Sequence, residues 1–423
     1  MTNNYVQDNL KQLGAEYQAI IDYTQNLKPN ERVKSLLEEA NNYREMTFSS
    51  SDLADVLKVE PKSAASSMRK LVERYENECD AWIFQNNSNH KQFTHEQAED
   101  FLKWCGHNSI RLQRELGSKY SVPVVYGTQG KGGVGKTTFN VHMAVAAVMD
   151  PTRLCRALII DRDANQGSVG HLLSSVDDDF EFSSTLPIFE KYAYLPREER
   201  LSPEIQAEIR EWLLADFVLE SDIPNLFFIP ASRDDIHVEK IIAKLLAKGT
   251  SEQESYDLAY TIFADLIIAP LSNDVDIIFL DSSPSISPEK YALLYASKHL
   301  ILPITPRTLD VKSSANHRSA ISDFIEELAP SDFNGWETIV TTFTKCPSST
   351  DYRKRCSELV DVCDAIPTVM PETKAYEVAS EHKRPVQFLK VEHIGGVTAH
   401  RKTINEIYSS ISSRVFQNVW GDK

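Results

Sequence analysis

The run GKGGVGKT, Gly130 to Thr137, constrains this chain of 423 residues more than any other feature. It follows the apolar run VPVVYG and leads into TTFNVHMAVAAVM, a segment suited to a helix. Strand, glycine-rich turn and helix in that order satisfy G-x-x-x-x-G-K-[ST] in the context the pattern requires. The spacing predicts that backbone N–H groups of Gly130, Gly132, Gly133, Val134 and Gly135 turn inward around phosphate oxygens, since glycine has no Cβ to obstruct them. A helix starting near Lys136 adds its positive end. Lys136 is then expected to reach the β- and γ-phosphates, and the Thr137 hydroxyl to complete a Mg²⁺ shell, with Thr138 beside it.

From Ser121 onward, short apolar runs alternate with helical stretches: VPVVYG, RALIID, NLFFIP, DIIFLD, HLILPI and ETIVTTF. This alternation predicts an α/β fold with a mostly parallel central sheet flanked by helices. The stretch from Asp177 to Asp222 shows no clear strand and is expected to be a helical insertion. Ahead of the sheet, residues 1–46 show helical spacing broken at Pro29, and residues 47–120 a compact helical module with one hairpin. The expected organisation is therefore 1–46, 47–120 and 121–423.

Composition narrows the class. Hydrophobic content of 42% and charged content of 25% suit a globular protein. No run reaches the roughly 18 apolar residues of a membrane span, and MTNNYVQDNLKQ carries no signal pattern. A cytoplasmic protein is expected. The six cysteines show no CxxC pair and are expected to be free thiols. A net charge of −16 excludes a protein that coats DNA with its whole surface, though not one with a local basic patch.

Two acidic motifs complete the phosphate site. RALIIDRDANQGS ends a strand with Asp161 and Asp163, and VDIIFLDSSPS ends another with Asp281, placed to serve Mg²⁺. One residue remains to be explained: Lys131, a second lysine with no obvious target in its own subunit. The pattern K-G-G-x-G-K-[ST]-T resembles the deviant Walker A ATPases of the ParA/MinD family. The resemblance implies ATP as substrate, ADP as product and a homodimer in which Lys131 crosses to the partner's phosphates, as an arginine finger does. It further implies that Asp163 orients the attacking water and that Asp161 supports Mg²⁺ through its water shell. Lys131, Lys136 and Asp163 would then be the catalytic set. The chain departs from the family at Ala164-Asn165 and Ser282-Ser283-Pro284, where prolines are usual. HLILPITPRTLDVKSS and AIPTVMPETKAYEVASEHKRPVQFL resemble the later part of the family's domain, which implies Pro371, Glu372 and Thr373 near the adenine.

The residues 48–76, FSSSDLADVLKVEPKSAASSMRKLVERYE, read as two helices with a turn at Val59–Glu60, the first capped by Ser50 or Ser51. Lys62, Ser63, Ser66, Arg69 and Lys70 lie along the polar side of the second, suited to phosphate and base-edge contacts. WIFQNNSNHKQFT, with its polar tip, suits a wing. Large-type ParA proteins carry a dimerisation helix and such a winged helix. The resemblance therefore implies operator binding as an autorepressor, sequence-independent DNA binding in the ATP state, nucleoid association, and a ParB-like centromere-binding adaptor that stimulates hydrolysis. Candidate contacts for the second kind of binding are Arg353, Lys354, Arg355, Arg401 and Lys402. Two other readings stay open, an ATP-switched transcription repressor and a MinD-like membrane-positioning ATPase. The last amphipathic helix has few basic residues and is expected to pack on the core rather than on a membrane.

Overall fold

The computed structural model describes residues 47–420 apart from 60–63, 82, 86–90, 165–167, 175–180, 286, 390–393 and 395–396. The chain divides into two units, Met1–Arg44 and Glu45–Lys423, and every described residue belongs to the second. The expected helices of residues 1–46, together with Lys62, Ser63 and the tip of the hairpin, lie outside the described residues.

The main sheet has eight strands. They are β4 (Val124–Gly127), β5 (Ala157–Arg162), β6 (Leu219–Glu220), β7 (Leu226–Ile229), β8 (Ile277–Ser282), β9 (His299–Ile304), β10 (Thr338–Cys346) and β11 (Ala365–Pro371), in the order β11-β10-β9-β4-β8-β5-β7-β6. All neighbours pair in parallel except β6, which runs antiparallel to β7 at one edge. The six apolar runs read from sequence are all strands. Two more were not anticipated as strands: β6, only two residues long, and β11, whose AIPTVMP alternates too weakly to stand out.

Alternation along the strands builds two cores. Val124 and Tyr126 of β4 face one core, formed with the helices Leu186–Tyr192, Pro203–Asp216, Val238–Leu246 and Pro288–Ala296. Val125 faces the other, shared with the helices Lys136–Val148 and Val397–Val415. Lys136–Val148 is buried almost all round, which explains its apolar composition: it lies between the sheet and the C-terminal helix. The expected helical insertion is present as the helices Leu186–Tyr192, Arg197–Arg200 and Pro203–Asp216, with β6 as its one strand among the described residues.

Ahead of the sheet, β1 (Phe48–Ser49), β2 (Phe84–Gln85) and β3 (Lys91–Phe93) form an antiparallel sheet in the order β1-β3-β2, with the helices Ser50–Val56, Ala64–Cys79 and His95–Trp104. Leu53, Met68, Val72, Tyr75, Phe93 and Phe101 make its core. The cap of the first helix is Ser49, earlier than expected, because Asp52 three residues on closes a capping box: the Ser49 N–H donates to Asp52 at 2.7 Å.

Asp276 ties this region to the sheet. Its carboxylate, 1% exposed, accepts from Arg114 Nη1 at 2.8 Å and from the Arg156 N–H at 2.8 Å, while Tyr120 donates to its carbonyl at 2.6 Å. Removing one member of a buried ion pair leaves the other charge uncompensated. Asp276→Ala is therefore expected to lower unfolding stability by about 3–5 kcal/mol in a denaturant titration, and a midpoint equal to the parent's would contradict that.

Candidate phosphate-binding site

β4, β8 and β5 are neighbours, so their three C-terminal loops converge. Asp161 and Asp281 stand opposite each other in the β5–β8 register. The loop after β4 ends at Gly135, the N-cap of the helix Lys136–Val148, with φ of 86°, a left-handed conformation that favours glycine. That N-cap makes no side-chain hydrogen bond, so no side chain competes with an anion for the first N–H groups of the helix.

Thr137 Oγ1 donates to Asp281 Oδ2 at 2.5 Å, and Asn140 Nδ2 donates to Asp281 Oδ1 at 2.8 Å. Asn140 was not anticipated. The available signal was an asparagine one helical turn beyond Lys136, and a residue at position 127 without a side chain: a Cβ there would lie 2.2 Å from Asn140 Oδ1. Asp161 accepts from the Asp163 N–H at 2.9 Å and the Val169 N–H at 3.1 Å, which shapes the loop after β5. Lys136, Asp161, Asp163 and Asp281 are all buried.

Three aspartates buried together are electrostatically unfavourable until a cation joins them. Burial, then the neighbouring Asp281, pushes Asp161 well above the usual carboxylate range. Burial raises Asp281 to about 6, against the opposing effects of Thr137, Lys136 and Asn140. Burial lowers Lys136. Among the described residues no three acidic, imidazole or thiolate groups form a metal cage of their own. The adjoining oxygens of Thr137 and Asp281 are of the kind Mg²⁺ takes, alongside waters and phosphate oxygens. Thr137 and Asp281 would hold it directly, and Asp161 through water.

The raised value at Asp281 has a consequence for stability. A carboxyl that holds its proton more tightly when folded costs stability as pH climbs from the unfolded value, near 4, through about 6. Asp281→Asn is expected to stabilise the nucleotide-free chain by roughly 1–2 kcal/mol at pH 7 and to leave it unchanged near pH 4. Thermal unfolding at both pH values measures this; equal shifts at both would contradict it.

Two expectations about the loop need correction. Lys131 does have an anion in its own subunit: it pairs with Asp310, in the first turn of the helix Thr308–Asp323. Asp310 was legible in the sequence as an aspartate after Pro306, but its approach to the loop follows from β9 and β4 being neighbours. The Gly130 N–H is occupied by Gln129 Oε1 at 2.8 Å, and Gln129 is held in turn by Ser314 at 2.8 Å, so this amide does not face the loop's centre.

Pro371, Glu372 and Thr373 line a cavity of about 250 Å³ that also includes Gly135 and Thr138. Thr344, Lys345 and Tyr376 line it as well and were not singled out. The Tyr376 ring meets His142 edge-on, 5.1 Å between centroids.

The basic candidates divide. Ser66, Arg69 and Lys70 are exposed on one face of Ala64–Cys79, opposite the buried Met68 and Val72. Arg353, Lys354 and Lys402 are exposed. Arg355 donates to the Pro306 carbonyl at 2.9 Å and Arg401 to the Leu389 carbonyl, so both are engaged within the chain.

A parallel sheet with a glycine loop at one strand end, a buried lysine opening the next helix and a strand-end aspartate on its threonine together define a P-loop nucleotide-binding protein. The second lysine, Lys131, makes it one of the deviant Walker A kind. A family model described as an AAA domain matches residues 124–331. Plasmid partition protein A of Escherichia coli is 25% identical over 207 residues, 48% of this chain and 47% of that protein, so the chain matches about half the length of this curated relative. A solved structure described as Partition Protein shares the fold over 99% of this chain and 100% of its own, at a TM-score of 0.56 and 17% identity. Apo McdA of Cyanothece covers 69% of this chain over 100% of its own, at 0.50 and 16%. Over this part of its length the chain is similar to ParA-type partition proteins.

Proposed function

We propose that this chain is a DNA-partition ATPase of the large ParA type. The single observation that supports this most is Lys131, a second lysine in a phosphate loop that already contains the buried Lys136. In this reading Lys136 and the loop amides bind the β- and γ-phosphates of ATP. Mg²⁺, when bound, neutralises phosphate charge. Asp163 orients the attacking water, and Pro371, Glu372 and Thr373 border the adenine. Lys131 leaves Asp310 and reaches the nucleotide of the partner subunit in a face-to-face dimer. The exchange is electrostatically reasonable, because a triphosphate offers more negative charge than one carboxylate.

The dimer binds DNA without sequence preference through Arg353, Lys354 and Lys402, and a ParB-like adaptor stimulates hydrolysis and release. Residues 47–120 act as a winged helix on the operator, with Ser66, Arg69 and Lys70 facing DNA. Residues 1–46 contribute to dimerisation. Cytoplasmic, nucleoid-associated placement belongs to the same reading.

The membrane-positioning alternative is disfavoured by the C-terminal helix: Ile404, Ile407, Tyr408, Ile411 and Val415 are buried in the core rather than free to enter a bilayer. No helix among the described residues is long and apolar enough to cross a membrane. An ATP-switched repressor would bind nucleotide without turnover. Mg²⁺-dependent ATP hydrolysis, assayed alone and with DNA plus the adaptor, separates the two: a rise with both supports partition, and no hydrolysis under any condition favours the repressor.

DNA affinity supplies a second test. Its logarithm is expected to fall linearly with the logarithm of salt concentration, and the double variant Arg353→Ala with Lys354→Ala to make that slope shallower by about 2. An unchanged slope would remove this helix from the DNA surface.

A further inference from the structure

A second polar cavity, of about 140 Å³, lies beyond the aspartates rather than beside the base pocket. Ala164, which directly follows Asp163, and Ser282, which directly follows Asp281, both line it. The cavity therefore begins where two acidic strand ends of the phosphate site stop. Its volume is roughly ten times what one water needs.

Its lining holds two cations, Arg162 and Lys290, and two carboxylates, Glu239 and Glu289, but they are unevenly paired. Lys290 lines the cavity, is 4% exposed, and its ammonium has no hydrogen-bond partner. Arg162 and Glu289 also line it, but Arg162 Nε donates to Glu289 at 2.7 Å and Arg162 Nη1 pairs with Asp235 at 3.1 Å, so they satisfy one another. Glu239, half-exposed, lines it too, and no hydrogen bond joins its carboxylate to Lys290. Burying an ammonium that makes no hydrogen bond is costly, and burial with Lys136 nearby lowers Lys290 to about 7.

The other lining groups are donors. Ser283 and Ser285 share a hydrogen bond of 2.7 Å, leaving one of their hydroxyl protons for a ligand. Lys290 stands in the first turn of the nine-residue helix Pro288–Ala296, whose N-cap Ser287 also lines the cavity. A buried ammonium with no hydrogen-bond partner, together with small hydroxyls, suits a compact tetrahedral oxyanion.

We propose that this cavity is an orthophosphate site, which receives the phosphate cleaved from ATP and holds it against Lys290 before escape. The source of the anion rests on the hydrolytic function proposed above; the anion site itself does not. Binding is non-covalent: the P–O bond has already been broken by water at the phosphate loop, and the hydroxyls and ammonium only replace the product's hydration.

The test uses the full chain and Lys290→Met. Orthophosphate is titrated calorimetrically into each, with and without Mg·ADP. The parent is expected to bind orthophosphate saturably and the variant about tenfold more weakly or worse, with Mg·ADP affinity unchanged. In a single turnover of ATP, phosphate reaching a fluorescent phosphate sensor is expected to lag behind cleavage in the parent and to keep pace with it in the variant. Equal orthophosphate affinity in parent and variant overturns the site. Saturable binding with no lag in the parent overturns its role for product while leaving an anion site for free phosphate. A parent that binds orthophosphate but no nucleotide contradicts the hydrolytic function instead. Should Lys290→Met fail to fold, Ser283→Ala with Ser285→Ala, expected to weaken orthophosphate several-fold, gives the same comparison.

Discussion

Lys131→Ala is expected to bind ATP as the parent chain does and yet to lose stimulated turnover by about 10³-fold or more. A cation supplied across an interface acts on the charge that develops during phosphoryl transfer, and such groups are worth about 10³–10⁵ in rate. In the free chain the Lys131 side chain is 41% exposed and paired with Asp310, so its removal is expected to leave the nucleotide pocket intact. Nucleotide affinity by fluorescence titration and hydrolysis with DNA and adaptor give the two readouts. Turnover equal to the parent's would contradict the role in trans.

Lys136→Ala is expected to fail one step earlier. Lys136 is buried at the start of the helix Lys136–Val148, and its charge is set against Asp281 and Asp163. Without it, the loop loses the cation expected to meet the phosphates, and Asp281 and Asp163 lose a neighbouring positive charge. ATP affinity is expected to fall about 10²-fold or more, as for one partner of a buried charge pair. Measured dissociation constants within threefold of the parent's would contradict this placement. The two lysines, five residues apart in sequence, are thus separated by which step each removal stops.

Much of this was legible in the chain because chemistry and fold coincide at strand ends. GKGGVGKT, RALIIDRD and DIIFLD each combine a buried strand with the residue that serves phosphate or Mg²⁺, so pattern and site were read together. The sheet order was not legible: it depends on which strands pair, and only that pairing brings Asp310 to Lys131 and Asp281 opposite Asp161. Asn140 and Lys290 escaped for a related reason. A helical asparagine and a lysine after Pro288-Glu289 look like ordinary polar positions until the helix's buried face is known. The same limit applied to Arg355 and Arg401, whose carbonyl partners at Pro306 and Leu389 are brought near only by the tertiary fold. Ser49 shows the local form of the problem, since any of three consecutive serines could cap a helix and the choice was made by Asp52.

Mixing two inactive variants tests the shared-nucleotide dimer most directly. Lys131→Ala keeps Asp163 but lacks the crossing lysine, and Asp163→Ala keeps the lysine but lacks the group that orients water. If each Lys131 serves the opposite chain, a mixed dimer contains one complete site, and the mixture is expected to regain stimulated ATP hydrolysis that neither variant shows alone. A mixture that exchanges subunits freely and stays as inactive as its two components would mean that Lys131 serves its own chain, and the account would fail.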